Sequence, residues 1–406
     1  MKKTLILNST VYLPGEGAVK RTFYLFQMML DQGYDVTLLT ADFNHYAKQT
    51  RNTDEFFSKY PEYKNTIKFL HKAPYKKNIS LKRYLSGLKY TNSVKKWFKK
   101  HGDEYDVVYL SVASTTLVRK IRRYCDKYGI KLIIDVNDLW PDSLKLIIPN
   151  EKLYKFLTFF MQKNVNRGYA QADGIVAVSN EYLEKASRVN TRATKRLPVY
   201  IGAMLDKFDD GVKKFFDVIE KPSDEFWLSY VGTIGVSYDI ETVIRAVDKL
   251  NKEKKLNIRF KILGQGPDEK KLKDIANKLK AKSTDFLGFM DYEKMAAYLA
   301  KSDICMNCLK SSAPQSIINK ISDYYAAAKP VLNCGPCKEM LALIDDYQTG
   351  INYEAEDVDS LCEAILKLYN DPALCKELGK NSRKLAELKF DRKTTHQEII
   401  SLIESI

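Results

Sequence analysis

Apolar residues along the chain come in short runs, each followed by a loop and then by a segment whose apolar positions recur every three or four residues. Short runs bounded by turn residues predict buried strands, and the wider spacing predicts helices packed by one face. Thr4-Leu5-Ile6-Leu7 is the first such strand. A loop with Pro14, Gly15 and Gly17 follows, then a helix through Arg21–Phe26 to Gly33, a residue suited to a C-terminal cap. Asp35–Thr40 is the second strand. Strand, helix and strand in that succession need a crossover connection, so the sheet is predicted to be parallel.

Residues 44–100 are less regular and rich in Lys and Tyr. The alternation then resumes, with strands at Asp106–Leu110, Lys131–Val136 and Asp173–Ser179 and helices over Leu117–Tyr128, Glu151–Ala170 and from Asn180. Residues 190–222 lack periodicity and hold Pro198, Gly202, Gly211 and Pro222, so a linker is predicted there. A second alternation follows. Its strands are Trp227–Val231, Arg259–Leu263, Thr284–Leu287, Ile304–Leu309, Val331–Asn333 and Gly350–Asn352. Helices are predicted over Ile240–Glu253, Glu269–Ala281, Tyr292–Lys301, Ile317–Ala328 and Val358–Leu368, and a last one over Thr394–Ile406. The fold class that follows is α/β, with two Rossmann-like doubly wound domains, 1–200 and 201–390. Residues 391–406 are expected to form a C-terminal helix packing back toward the first domain. Ligands of such sheets bind outside the carboxyl ends of the strands, so the expected site is an interdomain cleft.

Composition narrows the partners. The chain has 406 residues, 45% of them hydrophobic and 29% charged, which fits a multidomain globular protein. A net charge of +15 favours anionic partners such as phosphate groups or acidic lipid. No aromatic-rich recognition motif accompanies that charge, so no specific nucleic acid is expected. Lys2-Lys3 precede only Thr4–Leu7 before polar Asn8, too short an apolar stretch for a signal peptide. A cytoplasmic location is therefore expected, with reduced cysteines. Cys305-x-x-Cys308 and Cys334-x-x-Cys337 have zinc-like spacing, but both pairs belong to predicted buried strands, where small thiols pack as apolar groups. His45, His71, His101 and His396 are scattered. Neither a metal nor a cofactor is expected.

Candidate chemistry gathers where predicted strands end. Val231-Gly232-Thr233-Ile234-Gly235 closes a strand in glycines and opens a helix, an arrangement that lets backbone N–H groups approach an anion. No third glycine falls at dinucleotide-fingerprint spacing. Leu263-Gly264-Gln265-Gly266-Pro267 repeats the theme one strand later. In Lys320-Ile321-Ser322-Asp323, the cation and the carboxylate share one helix face. A lysine can neutralise a diphosphate and a carboxylate can accept hydrogen bonds from ribose hydroxyls; the same spacing also suits a surface ion pair.

Residues 320–332, Lys-x-x-Asp-Tyr-x-Ala-Ala-x-Lys-Pro-Val-Leu, resemble the signature helix of the retaining GT-B glycosyltransferases of family 4, which usually has Glu where Asp323 stands. Asp138-Leu139-Trp140-Pro141-Asp142 resembles a segment of members that build bacterial surface polysaccharides, and Ala172–Ser179 resembles another of the family's strands. Gly232–Gly235, Gly264–Pro267 and Phe286–Phe289 fit its C-terminal pattern, so the resemblance runs along the whole chain. It implies that Gly15 and Gly17 lie under the donor diphosphate and that Asp138 points at the transferred sugar. It implies that Gly232, Thr233, Gly235 and Lys320 contact the phosphates and that Gly264 and Gly266 belong to the donor-binding rim. Phe289 and Met290 would lie beside the nucleobase, and Asp323 would hold the ribose. Gln315, eight residues before Asp323, falls on the first carboxylate of the family's paired-acid motif.

The implied reaction is transfer of a sugar from a nucleotide-diphosphate donor, UDP- or GDP-linked, to an acceptor hydroxyl with retention. Lys320, Gln315 and Asp138 are the candidate catalytic residues. The implied acceptor is a glycan or a polyprenyl-diphosphate-linked glycan, in capsule, O-antigen or exopolysaccharide synthesis at the inner face of the membrane. Residues 81–100 and 151–167 mix Lys and Arg with Leu, Phe, Trp and Tyr, as a basic amphipathic helix on an anionic membrane does. For the second segment, a helix docked on a core by Leu153, Phe156, Leu157 and Phe160 is the expectation. Two rivals remain. Gln315 and Asp323 in place of the family's acids allow a nucleotide- or sugar-binding scaffold. A nucleotide-sugar epimerase of the same fold would need His in the cleft, where none is expected.

Overall fold

The computed structural model describes all residues except 18–19, 79, 112–114, 140, 143, 145–147, 149 and 314–316. It divides into two units: residues 1–200 with 396–406, and residues 201–395.

The first unit is built on a seven-stranded sheet. Its strands are β1 (Thr4–Leu7), β2 (Val36–Ala41), β5 (Ile67–Leu70), β6 (Val107–Ser111), β7 (Lys131–Val136), β8 (Gly174–Ala177) and β9 (Lys195–Pro198); β3 (Phe43–Asn44) and β4 (Gln49–Thr50) form a separate antiparallel pair. The order is β5-β2-β1-β6-β7-β8-β9, and every pairing in it is parallel. Alternation along each strand feeds two cores. Leu5 and Leu7 join Leu132 and Ile134 on one face, while Ile6 joins Ile133 and Tyr109 on the other. The second face is closed partly by Ile399, Ile400 and Ile403 of the helix Arg392–Ser405. Gly33 has φ +78°, and the N–H groups of Gly33 and Tyr34 reach the carbonyls of Leu30 and Met29, which ends the helix Arg21–Asp31.

The second unit carries β10 (Phe226–Val231), β11 (Ile258–Leu263), β12 (Thr284–Gly288), β13 (Ile304–Cys308), β14 (Val331–Cys334) and β15 (Gly350–Asn352), in the order β12-β11-β10-β13-β14-β15. All its pairings are parallel too. Cys305, Cys308 and Cys334 are buried within β13 and β14, and burial pushes the Cys334 thiol up to about 12. Among the described residues no group of His, Cys, Asp and Glu side chains is arranged to hold a metal ion.

Several elements differ from the expectations. The irregular stretch 44–100 contains the helix Thr53–Lys59 and the 21-residue helix Leu81–His101. The latter falls on the segment read as a basic amphipathic helix and buries a narrow stripe of Ser86, Tyr90, Thr91, Val94 and Phe98. The expected linker holds β9 and the helix Leu205–Phe215; Gly211 of that helix lies against the backbone of Glu293, where a Cβ would come within 2.6 Å of its Cα. The helix expected over Ile317–Ala328 is shorter, Ile321–Ala326. An unexpected helix, Pro372–Leu385, starts with the Asp371 side chain accepting from the Leu374 N–H and with proline at its first position.

The helix Glu151–Tyr169 corrects one expectation outright. Tyr154, Thr158, Val165, Gly168 and Tyr169 form its buried face. Leu153, Phe156, Leu157, Phe159 and Phe160 point outward, with Phe156 78% and Phe160 79% exposed. The apolar residues read as a docking stripe are therefore the solvent side, because the inward stripe uses Tyr, Thr and Gly instead. Among the described residues, no helix is long and apolar enough to cross a membrane.

Candidate active site

Both sheets reverse strand order beside their first strand, between β1 and β6 and between β10 and β13. Loops leaving the strands there splay apart, and crevices for ligands form at that point.

In the second unit the sequence-picked residues join in a ring of contacts at the C-terminal edge of the sheet. The Gly232 N–H donates to the Leu263 carbonyl at 3.0 Å and the Ile234 N–H to the Gln265 carbonyl at 3.0 Å. Gly264 has φ +153°, and a Cβ there would strike the Gly232 carbonyl; one at Gly266 would strike the Ile234 carbonyl. These two glycines are thus required by the mutual packing of the loops, whatever else they touch. Tyr230 braces the first loop by donating from its hydroxyl to the Thr233 carbonyl at 2.7 Å. Tyr324 fastens the strand before it: its hydroxyl accepts from the Val231 N–H at 2.9 Å. Thr233 stands exposed, a Cβ at Gly235 would meet the Thr233 side chain at 3.8 Å, and the Gly235 carbonyl accepts from the Tyr238 N–H at 3.0 Å.

Asp323, beside Tyr324, is buried. One carboxylate oxygen accepts from the Tyr292 hydroxyl at 2.9 Å and the other lies 3.8 Å from Lys320 Nζ. Burial raises its pKa, with Lys320 and the Tyr292 hydroxyl pulling the other way. Lys320 is half-exposed, so it presents its charge to solvent while its partner stays inside. Tyr292 follows closely on Phe289, which is 78% exposed at the end of β12, and on half-buried Met290. Gly288 sits next to the Gln265 side chain, which closes the ring back to the second glycine loop. Gln315 lies outside the described residues.

In the first unit, Gly15 and Gly17 are exposed in the loop after β1, against Tyr60 and Tyr12. Asp138 is exposed just after β7. Desolvation by its surroundings raises its pKa, opposed by the Leu139 N–H and the Arg83 charge. Among the described residues no hydrogen bond or ion pair links Asp138 to the glycine loop. They are tied indirectly: Arg21, first in the helix after that loop, grips Asp135 on β7 with Nε at 3.0 Å and Nη2 at 3.2 Å. Its other Nη donates to the Val199 carbonyl at 2.8 Å. Both side chains are buried, and Asn137 bridges Asp135 to Ser111.

Sequence reasoning missed this pair, and also Tyr292, Tyr324 and Lys72. Arg21 and Asp135 are 114 positions apart, so no local pattern could join them. Tyr324 did carry a signal, as the neighbour of Asp323 in the motif itself.

The family profile described as "Glycosyltransferase Family 4" matches residues 15–196, and "Glycosyl transferases group 1" matches residues 212–385. An uncharacterized glycosyltransferase of Methanocaldococcus jannaschii is 23% identical over 252 residues, 62% of this chain and 63% of the relative. A putative colanic acid biosynthesis glycosyl transferase of Escherichia coli is 21% identical over 241 residues, 58% of each chain. The matched stretch thus spans less than two thirds of these curated relatives. The solved structure of Anabaena HepE in complex with UDP shares the fold along 100% of both chains, with a TM-score of 0.69 at 14% identity. With one profile on each unit and this fold throughout, the chain belongs to the GT-B glycosyltransferases of the family 4 type.

Proposed function

We propose that the protein transfers a sugar, with retention, from a UDP- or GDP-linked donor to a lipid-linked glycan acceptor in bacterial surface-polysaccharide assembly. The ring joining Gly232, Gly264, Asp323, Lys320 and Phe289 in one unit carries this reading. Exposed Phe289 offers a face for a base, and Tyr292-braced Asp323 an acceptor for ribose hydroxyls. Lys320 and the backbone N–H groups of Thr233 and Gly235 would bear the charge that develops on the departing diphosphate. Asp138 would orient the acceptor or stabilise a cationic sugar, and Gln315 would hydrogen-bond a sugar hydroxyl. UDP is the favoured base carrier because HepE was solved with it. The name of the Escherichia coli relative favours the polysaccharide role.

A lipid-linked acceptor is favoured by two apolar helix faces of the first unit. Leu81, Tyr84 and Leu85 on one helix, and Phe156, Phe159 and Phe160 on the other, are exposed among Lys82, Arg83, Lys152 and Lys155. Both helices connect parallel strands, so their first turns stand at the strand C-terminal edge. Exposed aromatics with lysines around them suit the interface of an anionic bilayer.

The decisive measurement is donor turnover with a panel of UDP- and GDP-sugars. Removing one charge-stabilising donor costs about 100-fold or more in turnover, so Lys320→Ala should lose that much while keeping its thermal midpoint. Unchanged kinetics would remove Lys320 from the site, and nucleotide binding without transfer or donor hydrolysis would favour the scaffold reading.

A further inference from the structure

The first unit holds an unneutralised cation cluster that the donor chemistry does not use. Lys72, just after β5, is buried to 6% exposure, and its ammonium donates to the Ser9 hydroxyl at 3.1 Å. Ser9 follows β1, so the pair sits at the C-terminal edge of the sheet. Among the described residues that hydroxyl is its one hydrogen-bond partner; the Tyr90 and Tyr75 rings lie 5.5 and 5.9 Å from the ammonium, and neither carries a countercharge.

Its neighbours add charge rather than cancel it. Lys48 is anchored by the His45 carbonyl at 2.5 Å and the Asn78 side chain at 2.6 Å, with the Tyr75 ring 5.1 Å away. Lys20 is held over the stacked rings of Tyr12 and Tyr46, at 4.3 and 4.2 Å from their centres. Arg83 donates to the Asn78 carbonyl at 2.6 Å, on the same residue whose side chain holds Lys48, and its charge lowers the pKa of Lys72, Lys48 and His45.

The nearby carboxylates are spoken for. Glu16 is gripped by Arg51, and Asp42 accepts from the Lys72 backbone N–H and pairs with His71. Among the described residues, none of Lys20, Lys48, Lys72 and Arg83 has a carboxylate within ion-pair distance. Burial, then Arg83, Arg51 and Lys48, push the Lys72 ammonium down to about 8. Burial, then Lys48 and Arg83, push His45 down to about 4, so the imidazole is neutral at pH 7; its Nδ1 is hydrogen-bonded to the Tyr75 hydroxyl at 2.5 Å. Like charges held together by tyrosines and carbonyls destabilise a fold unless an anion joins them.

We propose that the cluster with Lys72 at its base and Lys20, Lys48 and Arg83 around it binds a phosphate or diphosphate group of the sugar acceptor. This rests on the transferase reading and adds the acceptor's anchoring group. The Arg83 charge also lowers the pKa of Asp138, and the apolar turns beginning at Leu81 stand at the same sheet edge. The phosphate can belong to a lipid diphosphate or to a soluble sugar phosphate.

The test is calorimetric titration of the full chain with its donor site filled by UDP. The probes are inorganic phosphate, geranyl diphosphate, glucose 6-phosphate and glucuronic acid. The expected result is saturable binding of the phosphate probes, weakened at least tenfold in Lys72→Met and in Lys48→Met. Tighter geranyl diphosphate assigns a lipid source, and tighter glucose 6-phosphate a soluble one. Lys72→Met should also raise the thermal midpoint, which loss of a merely structural lysine would lower. The proposal is overturned if no phosphate probe saturates, if both variants bind them as the wild type does, or if glucuronic acid binds best. UDP titrated alone reports separately on the donor reading: its failure would count against nucleotide binding and leave the phosphate result standing.

Discussion

The two units share one strand order around their central strand and differ in what stands on its rim. The rim of the second unit is mostly backbone: two glycine loops laced together, with one lysine and one buried carboxylate. That of the first is mostly side chain: lysines, an arginine and tyrosines. A parallel sheet fixes where a ligand rests, and the loops decide what it is. Backbone N–H groups can be brought close only where Cβ atoms are missing, which ties the second rim to glycine. On the proposed reading, the first rim is free to vary with the acceptor.

The contrast can be broken in four ways. The largest effect is expected at Arg21 and Asp135, which brace the side-chain rim. Removing one partner strands a buried charge, so Asp135→Ala should cost about 3–5 kcal/mol in denaturant unfolding. The double variant Arg21→Met, Asp135→Leu should recover most of it. Equal losses in single and double variants would show that shape rather than charge matters there. Next comes Gly264→Ala in the backbone rim. Its φ and its collision with the Gly232 carbonyl predict a loss of about 2–4 kcal/mol, with weaker UDP binding and unchanged phosphate binding. A variant of wild-type stability would refute the interlocking.

The third concerns pH. Lys72 has a folded pKa near 8, below its ordinary 10.5. Its charged form therefore penalises the fold below pH 8, and the penalty fades as pH rises toward 10.5. The advantage of Lys72→Met in thermal midpoint should shrink over that window. Phosphate affinity of the wild type should fall about tenfold as the ammonium deprotonates, with no such fall in the variant. A parallel pH profile for both would exclude Lys72. The smallest effect is at Ala328, which ends the motif helix with φ +56°. A left-handed alanine costs about 1 kcal/mol relative to glycine, so Ala328→Gly should raise stability by that much without altering donor turnover.

The sheet framework was legible because strands buried on both faces read as unbroken apolar runs, as in Trp227–Val231 and Lys131–Val136. Its two glycine loops and the Lys320–Asp323 segment were legible because each is contiguous. Three kinds of feature were not. Pairings across long separations, such as Arg21 with Asp135 or Lys72 with Ser9, leave no local trace. The helix Thr53–Lys59 left no trace because it buries no residue and so has no inward stripe. The helix Glu151–Tyr169 misled because its strongest apolar residues face outward. The helix Pro372–Leu385 had a readable start in Asp371-Pro372 that was not used.

The lacing of residues 232–234 to 264–266 has a consequence for evolution as well as for binding. Neither turn can lengthen, shorten or change its backbone path without a matching change in the other. On the proposed donor reading, variation in donor preference would then come from the residues around this fixed seam, at Thr233, Phe289 and Met290, while the seam itself is kept whole.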